Sequence, residues 1–537
     1  MLLVTTIDGL RCYLNSHRQR NASLNLHLAD IGLVPTMGAL HQGHLSLIQQ
    51  ARRDRHIVVV SIFVNPLQFG PQEDLQKYPR TLSQDLQLCA DAGADVVFAP
   101  TPLEMGIKPL TSSSPQEINS SGLDSLTQVV PPAEMVSLMC GQFRPGHFQG
   151  VATIVIKLLN VVQPTAAYFG AKDAQQVAII KRLVTDLNLP VEIICCPTVR
   201  ETSGLAYSSR NKYLTPQQKE TAAVLYRSLQ KGRMAFITGE KSHTSIIEAV
   251  KKELATEPDV QIEYIELVNP DTLTPLDHLA DEGLLAIAAR VGSTRLIDNL
   301  LLQNRQPIIA IDGPAGAGKS TVAREVARIL GLQYLDTGAM YRSVTWLVLN
   351  SGISPADHVA VAEVVSQCTI NFNLLPDDAV NNLNFQQRIL INGQDVTQEI
   401  RSLDVTAQVS TIAAQPFVRQ ALLKQQQAYG KKGGLVAEGR DIGTHVFPDA
   451  ELKIFLTASV AERAKRRQLD LQNQGAKNIS LEELQLTIEE RDRKDSNREI
   501  APLKQAADAI EVITDGLSVS QVIDRIVSLY REKIGEK

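Results

Sequence analysis

The sequence predicts an α/β protein in which parallel sheets are flanked by helices, with two such parts following one another along the chain. Three observations predict it. Apolar strand-like runs alternate with amphipathic stretches over most of the length, as in IVVVSIFV (57–64), AAYFG (166–170), IIAIDG (308–313), GLVAEG (434–439) and LKIFL (452–456), and such alternation favours parallel sheets. The polar stretch LLQNRQP (301–307) ends in Pro307 and is followed at once by a fresh apolar strand, so a second folding unit is expected to open near residue 307. The length of 537 residues leaves room for about three or four domains of ~100–200 residues.

Composition narrows the class. Apolar residues make up 44% and charged residues 21% of the chain, the ordinary balance of a globular protein, which excludes a disordered or fibrous one. Lys plus Arg against Asp plus Glu count 26 to 29 up to residue 303 and 27 to 29 beyond it, so neither half has the basic excess of a nucleic-acid binder. The strongest apolar run, residues 57–64, is far shorter than the ~20 residues of a spanning helix. The start MLLVTTIDGLR has neither a basic n-region nor a long apolar h-region. Cys12, Cys89, Cys140, Cys195, Cys196 and Cys368 form no CxxC pair and no metal-ligand spacing. A reduced, cytoplasmic protein without membrane or nucleic-acid partners is expected.

In the first half, Pro35-Thr36-Met37-Gly38-Ala39-Leu40-His41-Gln42-Gly43-His44 follows the short strand IGLV. Two histidines spaced H-x-G-H at a strand-to-helix turn can present imidazoles to one triphosphate and stabilise charge on the α-phosphate and the departing pyrophosphate. Metal binding is the competing reading. Two histidines make an incomplete zinc site, and no nearby Cys or carboxylate completes it. Asn65 to Phe69 ends the strand of residues 57–64, where α/β folds place ligand contacts. Gly170, Ala171, Lys172, Asp173 and Gln176 follow the strand AAYF, and Ser208, Ser209 and Arg210 offer two hydroxyls and a guanidinium to phosphate oxygens. The uncharged amides of Gln68 and Gln176 suit a small hydroxy acid. Residues 106–130, rich in Ser and Gly, read as a surface loop without chemistry.

In the second half, Gly313, Pro314, Ala315, Gly316, Ala317, Gly318, Lys319 and Ser320, with Thr321 next, fit G-x-x-x-x-G-K-[ST] between a strand and a helical run. Glycines let backbone N–H groups turn inward around phosphate oxygens, Lys319 can reach the β and γ phosphates, and the Ser320 hydroxyl can ligate Mg²⁺ brought with ATP. Thr337 and Arg342 lie after the next strand, Arg419 ends the run VSTIAAQPFVR, Arg440 and Asp441 follow a strand, and Arg491, Asp495 and Arg498 fall on one helical face. Cations placed around two anionic nucleotides are what phosphoryl transfer between them needs. A regulatory GTPase would need N-K-x-D after this loop. The chain's one N-K pair, Asn211-Lys212, lies in the other half and lacks the Asp.

Residues 1 to about 302 resemble the pantoate–β-alanine ligase family in PTMGALHQGH, FVNPLQF, KYPRT, RPGHFQGVAT, KLLN, FGAKDAQQ, GLAYSSRN and RLIDN. Residues from about 307 to 530 resemble the cytidylate kinase family in GPAGAGKST, LDTGAMYR, VSTIAAQPFVR, EGRDIGTHVFPDA, KIFLTAS, RDRKDSNR and APLKQAADAI. The first resemblance implies a Rossmann-like nucleotidyltransferase domain over 1–195 and a small α+β domain over 196–303. It also implies a two-step reaction. Pantoate attacks the α-phosphate of ATP to give pantoyl adenylate and pyrophosphate, and β-alanine then attacks the acyl carbon to give pantothenate and AMP. It gives His44 the role of proton donor, with His41 as its partner on the phosphates and Lys172 pairing with phosphate. Met37 to His44, Gly170 to Asp173, Val199 and Tyr207 to Arg210 form the implied ATP site. Gln68 and Gln176 meet pantoate, with Asn65 beside them, and Gln68 later meets β-alanine.

The second resemblance implies a P-loop nucleoside monophosphate kinase over 307–537, with an insert on the CMP side at about 346–410, forming CDP or dCDP and ADP. It implies that Ser410, Arg419 and Asp441 read cytosine and that Arg342, Arg440 and Arg498 hold the CMP phosphate. Arg491 and Asp495, with Thr337, line the nucleotide, and Arg463, Arg466 and Arg467 fall near a lid over ATP. Together the resemblances imply Mg²⁺ with ATP at both sites, the small-molecule substrates ATP, pantoate, β-alanine and CMP or dCMP, and a homodimer through the first half. An alternative of another class is that one half is a degenerate binding module, which assays on each half alone would decide.

Overall fold

The computed structural model describes residues 1–23, 30–70, 75–107, 126–373, 387–473, 480–497 and 501–534. The loop expected over 106–130 therefore lies largely outside the described residues, as does Arg498. The chain divides into two compact units, Met1–Asn304 and Arg305–Lys537. No helix among the described residues is long and apolar enough to cross a membrane.

In the first unit, six strands form a parallel sheet: β1 (Leu2–Val4), β2 (Ile31–Thr36), β3 (Ile57–Ile62), β4 (Val96–Phe98), β5 (Ala166–Gly170) and β6 (Glu192–Cys196). Their order is β1-β4-β3-β2-β5-β6. The strands are continuous apolar runs because both faces of the sheet are covered. Leu33 and Val59 pack on one face while Val34, Val58 and Val60 pack on the other, the alternation that the pleat imposes. The apolar helix His147–Val162 covers the first face and Gln42–Asp54 the second. β3 lies on one side of β2 and β5 on the other, so successive connections leave in opposite directions. The crevice at the carboxyl ends of β2 and β5 is where such sheets bind ligands. Three antiparallel strands complete the unit, β7 (Val260–Val268), β8 (Glu282–Val291) and β9 (Thr294–Gln303). Leu285 and Ile287 pack against Leu225 and Leu229 of helix Val224–Ile237 and Ile246 and Val250 of helix His243–Leu254.

The second unit contains β10 (Ile308–Asp312), β11 (Gln333–Asp336), β12 (Ile370–Asn373), β13 (Arg388–Ile391), β14 (Gln394–Asp395), β15 (Leu435–Gly439), β16 (Leu452–Thr457) and β17 (Ile510–Ile513). Five of these form a parallel sheet ordered β11-β15-β10-β16-β17. The phosphate-loop strand β10 is central, with all five residues buried. β12, β13 and β14 make a separate antiparallel sheet within the stretch expected as the CMP-side insert.

At the division between units the chain is tied on both sides. The Asn304 N–H donates to Asp281 O in the first unit, and Gln306 N–H donates to Lys432 O in the second. Arg305 donates to the Asp449 carboxylate at 2.7 Å and to Glu451 at 2.8 Å, and the other Glu451 oxygen accepts from Ile308 N–H.

Candidate active sites

The crevice of the first sheet holds a cavity of about 270 Å³ lined by residues of the turns after β2, β3 and β5, of segment 197–210, of helix His147–Val162 and of the antiparallel strands including β9. After Thr36 the chain turns sharply, with φ +80° at Gly38 and +52° at Ala39. An alanine in the left-handed region is uncommon. It is held here by Asp85, which accepts Ala39 N–H at 3.0 Å and Leu40 N–H at 2.8 Å. Those N–H groups thus face a carboxylate, and Gly38, Ala39 and Leu40 are not part of the cavity wall, whereas Met37, His41, Gly43 and His44 are. Gln42 is exposed and Ala171 also lies outside the wall.

His41 caps the helix Gln42–Asp54, its Nδ1 accepting Gly43 N–H at 3.2 Å. That bond leaves Nε2 to carry the proton of the neutral ring. The His41 and His44 ring centroids are 4.0 Å apart. Burial, then His44 and Lys172, push His41 down to about 3. Burial, then Lys172, push His44 down to about 4. Both rings are neutral near pH 7, and the buried Nδ1 of His44 has no hydrogen-bond partner among the described residues.

Lys172 sits on the short turn Ala171–Asp173, whose carbonyls at Ala171 and Lys172 accept from the Asn299 amide at 2.9 and 2.8 Å. Lys172, Asp173 and Gly170 line the cavity, as do Val199, Tyr207, Ser208, Ser209 and Arg210. Tyr207 N–H donates to Val199 O, and Ser208 caps the turn that follows it. Gln68 ends the turn Pro66–Gln68 at the wall, its carbonyl accepting from His147 Nδ1 at 2.8 Å. Asn65 also reaches the wall, but its amide donates to Gly150 O and accepts Leu67 N–H. It shapes the turn that carries Gln68. Gln175 and Gln176 both line the cavity, but the Gln175 amide is spent on Cys140 N–H and the carbonyls of Met135 and Leu138.

Sequence reasoning gives no role to Asp85, Arg144, His147, Arg295 or Asn299, of which all but Asp85 line the cavity. Arg144 and His147 lie in the motif RPGHFQG, and Arg295 and Asn299 in RLIDN. Their polar side chains within these two motifs are the signal that could have found them.

In the second unit the glycine-rich loop joins β10 to the helix Lys319–Leu330. Gly313 has φ +149°, and a Cβ there would lie 1.9 Å from Leu456 O, so the loop tolerates only glycine at its first position. The Lys319 ammonium donates to Gly313 O at 2.8 Å and Pro314 O at 2.7 Å, and burial, then Arg440, lower it to about 7. Ser320 Oγ donates to Glu438 Oε2 at 2.9 Å, and Tyr334 donates to the other Glu438 oxygen. Burial raises Glu438 above the usual carboxylate range. Asp312, raised to about 6 by burial, accepts the N–H groups of Ile442 and Gly443, both at 2.7 Å. Glu438 opens the motif EGRDIGTHVFPDA, but its link to Ser320 depends on β15 lying beside β10, which spacing along the chain does not show.

Arg419 is buried and paired with the Asp441 carboxylate, its guanidinium 5.5 Å from the Tyr341 ring. Arg342 donates to Asp336 at 2.9 Å and Arg440 to Asp495 at 2.8 Å. Thr337 donates to Glu438 O at 2.7 Å. Ser410 is exposed on the helix Leu403–Ala413. Burial, then Arg440, lower Arg491, which Arg467 and Arg342 depress further. The arginines therefore crowd one another, a charge density that favours an anion. Arg463 is buried and spent on Asp492, Ala458 O and Ala315 O, and Arg466 on Thr514 and Glu462. Arg463 thereby ties the helix Val460–Asn473 to the loop at Ala315.

A family model described as pantoate-beta-alanine ligase matches residues 3–301, and one described as cytidylate kinase matches residues 309–532. A protein of Nostoc sp. named bifunctional pantoate ligase/cytidylate kinase is 59% identical over 547 residues, covering 100% of each chain. One of the same name from Trichodesmium erythraeum is 57% identical, covering 99% of this chain and 98% of that one. The crystal structure of pantothenate synthetase from Thermus thermophilus aligns with a TM-score of 0.49 and 41% identity, covering 56% of this chain and 99% of that one. The chain belongs to the bifunctional pantoate ligase/cytidylate kinase family, an ATP-using ligase that makes pantothenate joined to a kinase that phosphorylates CMP.

Proposed function

We propose that the cavity at the carboxyl ends of β2 and β5 is the ligase site and that His41, His44 and Lys172 receive the triphosphate. The observation that carries this reading is the pair of imidazoles 4.0 Å apart, in one cavity with Lys172, Ser208, Arg210, Gln68 and Gln176. Neutral rings donate hydrogen bonds without a fixed charge, so they hold ATP loosely in the ground state and more strongly as charge grows on the departing pyrophosphate. Gln68 and Gln176 hold the hydroxyl and carboxylate of pantoate for attack on the α-phosphate. Asp173 and the residues 207–210 complete the nucleotide site.

In the second unit Lys319 leaves its own loop carbonyls for the β and γ phosphates when ATP enters. Ser320 and Glu438 present hard oxygen donors, the chemistry that suits Mg²⁺, and would hold it with ATP. Bound there, Mg²⁺ would supply charge neutralisation for the phosphates. Arg342, Arg440 and Arg491 take the phosphate of CMP, and the Arg419–Asp441 pair, with Ser410, reads the base. Asp495 orients Arg440. The three domains expected from the sequence, cytoplasmic placement and a homodimer through the first half belong to the same reading. An ATP-consumption assay tests it: pantoate with β-alanine should release AMP, and CMP should release ADP. AMP formation that survives His44→Ala, or ADP formation that survives Lys319→Ala, overturns the corresponding site.

A further inference from the structure

We propose that Asp85 is a positioning residue for the ligase reaction, its carboxylate setting the turn that aims His41 and His44 into the cavity. The proposal rests on the reading that these histidines receive the triphosphate. Asp85 lies in the first turn of helix Leu82–Asp91 and is 1% exposed. No Lys, Arg or His pairs with it among the described residues, so this buried carboxyl group depends on hydrogen bonds for its partners. It accepts three: Ala39 N–H at 3.0 Å, Leu40 N–H at 2.8 Å and Thr81 Oγ1 at 3.2 Å. The first two belong to successive peptide groups directly before His41. One carboxylate oxygen on each plane fixes both planes, and with them the left-handed Ala39 and the direction in which the chain enters the helix that His41 caps.

The same bonds have a chemical consequence. In a phosphate loop the backbone N–H groups cradle the anion. Here two of them are consumed by a carboxylate, and the triphosphate is left to side chains. The rate then depends on where those side chains stand, which is what Asp85 sets.

Asp85→Asn keeps the shape but offers one acceptor to two N–H groups, turning an amide donor toward the other. The expected result is a fall of ~10–100-fold in kcat/KM for ATP in pantothenate formation, with KM for pantoate within about two-fold of the parent. CMP phosphorylation by the same full-length protein should not change. Thr81→Val removes only the hydroxyl that steadies the carboxylate and should show the same pattern at a few-fold. A purely structural role would lower activity only in proportion to the folded fraction measured by circular dichroism, so a kcat/KM for ATP per folded molecule within about two-fold of the parent in Asp85→Asn overturns the proposal. If Asp85→Asn fails to fold, Thr81→Val decides, and an unchanged kcat/KM for ATP per folded molecule there overturns the proposal. His44→Ala, run in parallel, separates the two readings. Asp85→Asn at full activity beside an inactive His44→Ala overturns the role of Asp85 alone, while an active His44→Ala overturns the triphosphate reading beneath it.

Discussion

Acid should loosen the first unit through His44, and the size of the effect follows from its surroundings. Burial, then Lys172, lower this ring from 6.5 to about 4. Between those values the unfolded chain binds a proton that the folded ring refuses, so stability is fully present above about pH 6.5 and falls as pH drops through the window, levelling off below about pH 4. Each pH step of one within that window is worth ~1.4 kcal/mol, and carrying the pH from about 7 to about 5 should cost about 2 kcal/mol at this residue. His41, lowered to about 3, adds a cost of its own. Urea unfolding at the two pH values, followed by far-UV circular dichroism, measures the total. The chain has one tryptophan, Trp346, in the second unit, so its fluorescence reports that unit separately. His44→Gln removes the titrating ring, and the acid-induced loss in the first unit should shrink by roughly 1–2 kcal/mol. Saturating ATP, whose phosphates raise both rings, should blunt the loss in the parent protein as well. An equal loss in parent and variant would refute the reasoning.

Other expectations follow from single contacts. Lys319→Ala should remove CMP phosphorylation by ~10³-fold or more and leave pantothenate formation intact, read as ADP against AMP release. Arg419→Met removes the buried cation paired with the Asp441 carboxylate and should destabilise the second unit by about 3–5 kcal/mol, visible in the Trp346 fluorescence transition. Glu438→Gln weakens the oxygen donor behind Ser320, so the Mg²⁺ concentration giving half-maximal kinase activity should rise. Chelation of Mg²⁺ should stop both reactions and leave the circular dichroism spectrum unchanged.

The parallel sheets, the glycine-rich loop and the H-x-G-H turn were legible because each is local: a run of Val and Ile, a fixed glycine spacing, two imidazoles either side of a glycine. What the sequence hid is long-range. Asp85 reads as an ordinary solvated residue of an amphipathic helix, and its task is visible only when the helix packs beneath the turn after β2. Arg463 reads as a lid cation from the sequence, and its contacts with Asp492 and Ala315 O come from segments that spacing along the chain does not bring together. Asn65 and Gln175 look as suited to a ligand as Gln68 and Gln176, and all four line the cavity; only the backbone partners taken by the amides of Asn65 and Gln175 set those two apart.

The anchoring at residues 304 and 305 bears on how this gene can be handled. Neighbouring residues give their first hydrogen bonds to different units, Asn304 to Asp281 and Arg305 to Asp449. A cut between their codons leaves each fragment holding the hydrogen bond of its own terminal residue. That junction is therefore the place to divide the gene when each activity is to be assayed on its own half.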